Sequence, residues 1–441
     1  MERYERYKDS GVEWIGEIPE GWSSSRLKYQ VTINDESLPE TTDEDYQIKY
    51  VDISSVKSGE GIINHQEFSF ANSPSRARRI VRHGDVIVST VRTYLKSIAK
   101  IESPDENLIV STGFAVIRPR KLNSGYIGYA FFADHLIDEI ISRSTGVSYP
   151  AINASEIGNI SIPIPNNENQ TAIANYLDRK TAEIDELIAQ KERLVELYEE
   201  EKTAIINQAV TKGIDPDARL KDSGVDWLGE IPEGWEVKRL KYFISKAGSG
   251  ITPKGGASEY QLTGIPLLRS QNIHFRGLKL DDVAYITQET HDEMLNSKVL
   301  KGDVLLNITG ASIGRCYYVT DSLGEANVNQ HVCILRPTRK ISTIFLNVVL
   351  RSNIGQEQIN LEQTGSGREG LNFETLKNFL MPSLELSEQT AIVHHIETET
   401  ACINAKIAKT KKIIALQKEY RTALISEVVT GKIKVTEEMA Q

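Results

Sequence analysis

The chain of 441 residues is poor in cysteine, and its three thiols lie far apart. Cys316, Cys333 and Cys402 form no Cys-x-x-Cys pair, which argues against a zinc ribbon or a disulfide framework and favours a reducing cytoplasm. The sequence also has no run of about 18 apolar residues, and its charged start, residues 1–7, lacks the apolar segment of a signal peptide. We therefore expect a cytoplasmic protein without a membrane span.

The chain also lacks an excess of positive charge. It has 51 Lys and Arg against 61 Asp and Glu, a formal net charge of −10. This balance excludes a uniformly basic nucleic-acid coat but allows a local basic patch. With 40% hydrophobic and 25% charged residues, the composition is globular and excludes collagen-like and disordered chains. At a typical length of about 150 residues per domain, the chain would contain about three domains.

The sequence contains an internal repeat at a distance of 213 residues. Residues 8–22, KDSGVEWIGEIPEGW, and residues 221–235, KDSGVDWLGEIPEGW, are identical at thirteen of fifteen positions. The tetrapeptide RLKY follows at 26–29 and again at 239–242. We call the segments 8–22 and 221–235 the first and second box. A repeat this close predicts a duplicated architecture.

Each half later contains the tetrapeptide QTAI, at 170–173 and 389–392. Each copy opens a stretch in which apolar residues recur every three or four positions, which is typical of an amphipathic helix with coiled-coil character. We predict helices at 167–211 and 386–430, each about 65 Å long at 1.5 Å per residue. The first has ten acidic and five basic residues, and the second has five and six. This difference favours an antiparallel pair of the two helices; the alternative is that each helix packs on its own domain.

The blocks between the boxes and the helices diverge strongly. We expect them to be mainly β, because Val, Ile and aromatic runs alternate with Gly, Pro and Asn. The predicted strands are 48–54, 80–91, 114–118, 265–269, 304–309 and 331–336, and the predicted helices are 124–143 and 342–358. Short matches survive at 84–86 and 302–304, and at 117–119 and 335–337. The boxes and helices match between the halves, whereas the blocks between them differ. This uneven divergence favours two binding specificities on one scaffold over a duplication whose copies diverged without a change of function.

Catalytic signatures are missing. The glycines at 248, 250, 255 and 256 lack the ending of a Walker A loop, and neither an adenine-methylase signature nor His-Glu-x-x-His is present. Pro216-Asp217 with Glu236-Val237-Lys238 fits a loose nuclease pattern. That pattern is degenerate, and the first copy carries Ser23-Ser24-Ser25 at the second position. The sequence therefore favours a binding and scaffolding protein.

The boxes with their RLKY tetrapeptides, the two QTAI helix starts and the ending VTGKI resemble the specificity (S) subunit family of type I restriction–modification systems. The resemblance covers nearly the whole chain. It implies an α+β fold, with two mainly-β target-recognition domains joined by two long antiparallel coiled-coil helices in a pseudo-twofold internal repeat. The implied segments are a first recognition domain with its box, 1–166; a first helix, 167–211; a linker, 212–222; a second recognition domain with its box, 223–385; a second helix, 386–430; and a tail, 431–441.

The resemblance also implies partners. Each recognition domain would read one half of a bipartite site in double-stranded DNA, and the helices would fix the gap between the halves. Two methylase subunits would bring S-adenosylmethionine and flip the target adenine, and restriction subunits would bring ATP and Mg. This chain would hold no cofactor or metal and would not be catalytic. The rival interpretations are a nuclease or methylase fused to recognition domains, and a coiled-coil scaffold without sequence-specific DNA reading.

Candidate DNA-binding residues follow from side-chain chemistry and loop context, because Arg can pair with guanine and Asn or Gln with adenine through two hydrogen bonds. The candidates of the first domain are Thr90, Arg92, Thr93, Tyr94, Lys96, Ser148 and Tyr149. Those of the second domain are Arg269, Ser270, Gln271, Asn272, Thr309, Ser312, Arg315, Asn329, Gln330 and Arg368, with Lys254 expected at a phosphate. An ordinary solvated loop side chain is the alternative for each. The box residues Trp14, Trp22, Trp227 and Trp235 are predicted to support the scaffold.

Overall fold

The computed structural model describes residues 2–57, 59–366 and 370–440. The chain divides into two compact units: unit 1 comprises residues 1–193 and 411–441, and unit 2 comprises residues 194–410. Each unit therefore contains one box, one of the diverged blocks and part of each long helix. Unit 1 needs both ends of the chain, whereas unit 2 is one continuous segment.

Unit 1 contains two four-stranded sheets. The first, its antiparallel sheet, has the strand order Ile98–Lys100, Val86–Ser89, Phe114–Pro119, Val31–Ile33. The second, its mixed sheet, has the order Gln66–Ser69, Gln47–Val51, Leu108–Ser111, Ala77–Ile80, and its two central strands are parallel. The buried side chains between these strands are mainly Val and Ile, β-branched residues that pack well on a pleated surface.

The other strands described in unit 1 form three two-stranded antiparallel pairs. They are Tyr7–Asp9, Glu17–Pro19, Ser23–Arg26, Val56–Lys57, Gly61–Ile62 and Ser161–Ile164. The helices of unit 1, apart from the long ones, are Ser124–Phe132, Asp134–Ser142, Ala154–Asn159 and Glu437–Ala440. The box closes on itself, because Tyr7–Asp9 pairs with Glu17–Pro19 in antiparallel register.

Unit 2 repeats this layout. Its antiparallel sheet has the order Ile244–Ser249, Val332–Pro337, Val304–Asn307, Cys316–Tyr318. Its mixed sheet has the order Ala284–Ile286, Ile265–Leu268, Asn327–Val328, and the last two strands are parallel. The remaining strands are Leu220–Asp222, Glu230–Pro232, Glu236–Arg239, Ile273–His274, Gly277–Leu278 and Leu380–Ser383, and the remaining helices are Gln288–Glu293, Thr343–Arg351, Asn353–Ser366 and Phe373–Lys377. The repeat thus extends into the diverged blocks, and the predicted α+β fold is confirmed.

One buried ion pair in each unit explains the short sequence matches. Asp85 is 1% exposed, and Arg118 donates to its two carboxylate oxygens through Nε and Nη2 at 3.0 and 2.9 Å. Arg336 donates to Asp303 in the same way, at 2.7 and 2.8 Å. These hydrogen bonds raise the pKa of both arginines. A buried carboxylate needs such a partner, so these residue types persist where the surrounding sequence has changed.

Two long helices connect the units: the first runs from Asn167 to Lys212 and the second from Leu386 to Val429. Inside unit 1, Nη2 of Arg421 donates to Asp185 at 3.0 Å, and Nζ of Lys418 lies 3.2 Å from Glu192. Along these two contacts the residue number rises in the first helix and falls in the second, so the helices run antiparallel there. Contacts inside unit 2 follow the same order. Nζ of Lys406 lies 5.6 Å from the centre of the Tyr198 ring, and Nζ of Lys202 donates to Oδ1 of Asn404 at 2.8 Å.

The QTAI glutamines fasten each helix start to the preceding chain. The amide of Gln170 accepts from Asn123 N at 2.8 Å and donates to Pro165 O at 2.9 Å. Gln389 accepts from Ser342 N at 2.8 Å and donates to Lys340 O and Leu384 O. Both side chains are almost fully buried. The motif is repeated because two backbone groups in unit 1 and three in unit 2 would otherwise lose partners inside the fold.

Some local predictions were wrong. The predicted strand 80–91 is two strands, because residues 81–85 turn at Gly84, whose φ is +86°, and Asp85 accepts from Arg82 N at 2.7 Å. The predicted helices 124–143 and 342–358 are each broken, at Ala133 and Ser352, where the backbone is extended. The apolar repeats of the two long helices are not buried throughout, because they include three exposed residues: Leu197, Leu416 and Tyr420.

The box tryptophans support the fold as predicted. Trp22 and Trp235 are 2% and 1% exposed. Gly431, which ends the second helix with a φ of +76°, lies so close to Trp22 that a Cβ there would be 3.1 Å from the ring. A Cβ on Gly213 would likewise lie 3.5 Å from the ring of Trp235. Among the described residues, no helix is long and apolar enough to cross a membrane.

Candidate nucleic-acid interface

In unit 1, the candidates 90–96 follow the central strand Val86–Ser89 and form a short turn. Arg92 and Lys96, at its two ends, both have left-handed backbones, with φ of +51° and +53°. Such conformations are costly for residues with a Cβ and cluster at functional sites. Thr90 is fixed by hydrogen bonds of its N and Oγ1 to Gly113 O. Thr93 is buried, and its hydroxyl lies 2.7 Å from that of Ser144.

A second loop of unit 1, residues 144–151, lies against this turn. The Arg92 guanidinium stacks over the Tyr149 ring at 4.6 Å, and Arg92 N donates to Pro150 O at 2.7 Å. Tyr149 and Tyr94 are 61% and 51% exposed, and Ser148 is also exposed. Lys96 Nζ lies 3.7 Å from Asp134. The structure therefore brings the two predicted groups of the first domain together on one surface, which we call reading face 1: residues 90–96 and 144–151.

In unit 2, the candidates at 269–272 form a short turn after the strand Ile265–Leu268. The Arg269 side chain is held by Asp282, because Nη2 donates to Asp282 O at 3.1 Å, and it packs over the Tyr260 ring. Gln271 donates to the Asp282 carboxylate at 2.7 Å. Asn272 is 2% exposed and accepts from Arg269 N, so its amide holds the turn and does not face solvent.

The candidates at 309–315 lie beside this turn. Asn307 Nδ2 donates to Ser270 O at 2.8 Å and to Ser312 Oγ at 3.0 Å, which ties the two loops together. Arg315 is half-buried, and its guanidinium makes no hydrogen bond or ion pair with the described residues. Thr309 Oγ1 lies 2.6 Å from Nδ1 of His331.

The candidates at 329–330 complete this surface. Asn329 is buried, donates its N–H to Leu268 O and accepts from His331 N. Gln330 is exposed and accepts from the Thr252 hydroxyl. We call this surface reading face 2: residues 252–254, 269–272, 309–315 and 329–331.

Lys254 and Arg368 are the remaining candidates of the second domain. Lys254 is exposed, and Arg368 lies outside the described residues. Thr252 and His331 were not predicted, although both carry polar groups into reading face 2. His331 adjoins two candidates in sequence, and this adjacency was the available signal.

Corresponding strand ends support the two reading faces. Ser89 pairs with Phe114 in unit 1, and Asn307 pairs with Val332 in unit 2. In the next position, Thr90 N donates to Gly113 O, and Ile308 N donates to His331 O. The loops therefore leave equivalent points of equivalent sheets, while their side chains differ. Among the described residues, no group of three or more His, Cys, Asp or Glu could hold a metal ion.

A family model described as "Type I restriction modification DNA specificity domain" matches this chain twice, at residues 19–197 and 232–415. The chain belongs to this family, and its role is that of a DNA specificity subunit acting with DNA and other subunits of a type I restriction–modification complex. The predicted resemblance is thereby confirmed, and the scaffold without DNA reading is not supported.

Individual relatives agree over most of the chain. It is 24% identical over 441 residues to the putative type I restriction enzyme MjaX specificity subunit of Methanocaldococcus jannaschii, covering 96% of both chains. It is 25% identical over 312 residues to the MjaVIII specificity subunit of the same organism, covering 70% of each. The EcoKI specificity subunit of Escherichia coli is 21% identical over 443 residues, covering 95% of this chain and 90% of the other.

Solved structures show the same fold. A chain from a study entitled "Structural basis underlying complex assembly and conformational transition of the type I R-M system" matches with a TM-score of 0.73 at 22% identity, covering 94% of this chain and 99% of that one. The HsdS subunit from Thermoanaerobacter tengcongensis matches with a TM-score of 0.52 at 23% identity, covering 94% and 98%.

Proposed function

We propose that reading face 1 and reading face 2 each contact one half of a bipartite site in double-stranded DNA. The observation that carries this proposal is that both faces leave equivalent ends of equivalent sheets yet present different side chains. An equivalent frame with different exposed groups is what two independent base readers need. Arg92, Arg315 and Gln330 carry the donors and acceptors that read base edges in the major groove, and Lys254 suits a phosphate.

Two methylase subunits are the proposed docking partners, with restriction subunits joining them. Supporting this is an exposed apolar pair on the second helix within unit 1: Leu416 and Tyr420 are 52% and 44% exposed and lie four residues apart, on one helix face. Apolar side chains exposed together mark interaction surfaces. Under this proposal the subunit works in the cytoplasm, is itself non-catalytic and binds no cofactor, while S-adenosylmethionine, ATP and Mg belong to its partners.

Methylome sequencing of a host that expresses this chain with its neighbouring methylase tests the proposal, with the methylase alone as the control. We expect methyl-adenine in a two-part motif only when both proteins are present. Replacing residues 30–165 with the corresponding block of a relative should change one half of that motif and leave the other. If both proteins are soluble and associated but produce no new methylated motif, the proposal is wrong.

A further inference from the structure

A series of hydrogen bonds joins three loops of reading face 2. Thr309 Oγ1 lies 2.6 Å from His331 Nδ1, and the amide nitrogen of Gln330 lies 3.1 Å from His331 Nε2. The Thr252 hydroxyl donates to the amide oxygen of Gln330. His331 is half-buried, whereas Gln330 and Thr252 are exposed. The Gln330 side chain is therefore held on both of its polar atoms while remaining open to solvent.

The backbone beneath Gln330 is fixed as well. Asn329 Oδ1 accepts from His331 N at 3.1 Å, and Asn329 N donates to Leu268 O at 3.1 Å. On the other side, Ile308 N donates to His331 O at 3.0 Å. The turn that carries Gln330 is thus attached to both sheets of unit 2, so Gln330 occupies a defined position at the surface.

These contacts determine what the Gln330 amide can offer. An amide nitrogen only donates, so both contacts are hydrogen bonds in the tautomer of His331 that carries its proton on Nδ1: Nε2 accepts from Gln330, and Nδ1 donates to Thr309. Gln330 then uses one of its two N–H groups on His331 and one of its two lone pairs on Thr252. One N–H and one lone pair remain. That is the pair which reads the N7 and N6 groups of adenine.

We propose that His331, held by Thr309, is a positioning residue that fixes the Gln330 amide in the orientation that reads an adenine. This inference rests on the proposed function of reading face 2. An amide without such a partner can turn by 180° and present the opposite order of donor and acceptor, which weakens its preference for one base. At the corresponding positions of unit 1, Thr112 and Gly113 replace Gln330 and His331. The positioning of a glutamine by a histidine is therefore confined to one half-site.

The test is binding of a DNA library, randomised in both half-sites, to the complex of this chain with its methylase. Gln330→Ala and His331→Phe should each reduce the preference for adenine at one same position by at least about tenfold. Thr309→Val, which keeps the side-chain shape but removes the hydroxyl, should reduce the preference at that position by about threefold, because one hydrogen bond to His331 is lost. Thr309→Ser, which keeps the hydroxyl, is the matched control and should retain it. Preferences in the other half-site should not change in any variant.

The outcomes separate this inference from the function on which it rests. If Gln330→Ala relaxes an adenine while His331→Phe and Thr309→Val leave it intact, the positioning role is overturned and DNA reading by unit 2 stands. If Gln330→Ala changes no position, the inference falls, and Arg315→Ala bound to the same library decides whether unit 2 reads DNA. If it relaxes a base other than adenine, the adenine assignment is wrong. Should His331→Phe lower the melting temperature, the comparison of Thr309→Val with Thr309→Ser decides.

Discussion

The indole N–H of Trp235 donates a hydrogen bond of 2.8 Å to the carboxylate of Glu388. This bond fastens the second box to the first turn of the second long helix. In the first half of the chain, Trp22 and Asn169 hold the matching positions, and the Trp22 N–H is buried without a hydrogen-bond partner among the described residues. The two nearly identical boxes therefore differ at this point: among the described residues, the indole of the second box is hydrogen-bonded to its helix and that of the first is not.

Changes at these two positions should have opposite effects on stability. Glu388→Ala should lower the free energy of unfolding of unit 2 by about 1–3 kcal/mol, because it leaves a buried donor unpaired. Asn169→Glu should raise that of unit 1 by about 1 kcal/mol, since it supplies the missing acceptor. Thermal unfolding measures both, at about 2–4 °C per kcal/mol for units of this size. Glu385→Ala, which removes a charge next to the same helix start, is the control; equal effects of the two alanine variants would contradict the prediction.

The QTAI glutamines should be more important for stability than their exposed neighbours. Gln389→Ala removes one acceptor and two donors that serve backbone groups, and the side chain is 1% exposed. We expect a loss of about 3 kcal/mol. Thr390→Ala, in the same motif, removes only a hydroxyl bonded to Leu386 O on the helix surface, and it should cost less than about 0.5 kcal/mol. Denaturant unfolding of the two variants, compared with the unchanged chain, distinguishes these values.

The sequence could predict the repeat, the two helices and the fold class because those features are periodic or strongly conserved between the halves. It could not predict the break at Ala133, since that break depends on contacts with distant residues, such as the bond from Asp134 N to Ser426 Oγ at 3.1 Å. Local propensity does not contain that information.

The candidate site could be predicted only in part from the sequence. Chemistry and loop context selected Arg92, Arg315 and Gln330, which lie on the two reading faces. The same reasoning could not see that Thr93 and Asn272 are buried and hold loops. It also missed His331, because the ring of that residue contacts Thr309 and Gln330, and only the fold brings these loops together.

The three thiols should differ sharply in reactivity. Burial raises the pKa of both Cys316 and Cys333 to about 12, and the thiolate is the reactive form. Cys402 is exposed. A thiol reagent should therefore label one cysteine rapidly in the native chain, and Cys316 and Cys333 should stay protected as the pH rises from about 7 to about 9. Mass spectrometry of tryptic peptides identifies the labelled residue, and Cys402→Ser should abolish fast labelling. Rapid native labelling of two or more thiols would show that the buried sites open.

The charge pair between the helices in unit 1 should contribute modestly. Arg421 Nε and Nη2 lie 2.8 and 3.0 Å from the Asp185 carboxylate, and their side chains are 22% and 51% exposed. Such pairs are screened by solvent, so a double-mutant cycle with Asp185→Ala and Arg421→Ala should give a coupling of about 0.5–1 kcal/mol. The coupling should shrink at high salt. A coupling that salt does not change would point to packing of the Arg421 stem instead of charge.

Two basic residues of reading face 2 should affect DNA binding in different ways. Arg315 has a guanidinium without a partner among the described residues, so Arg315→Ala should relax one base preference in one half-site at a cost of about 1–3 kcal/mol. Lys254→Ala should weaken binding equally for all sequences and reduce the salt slope by about one. Library binding and salt titration of the complex with methylase measure both, and Arg92→Ala is the control, because it should alter only the other half-site. If Arg315→Ala and Arg92→Ala both leave the recognised sequence and the affinity unchanged, neither reading face contacts DNA as proposed.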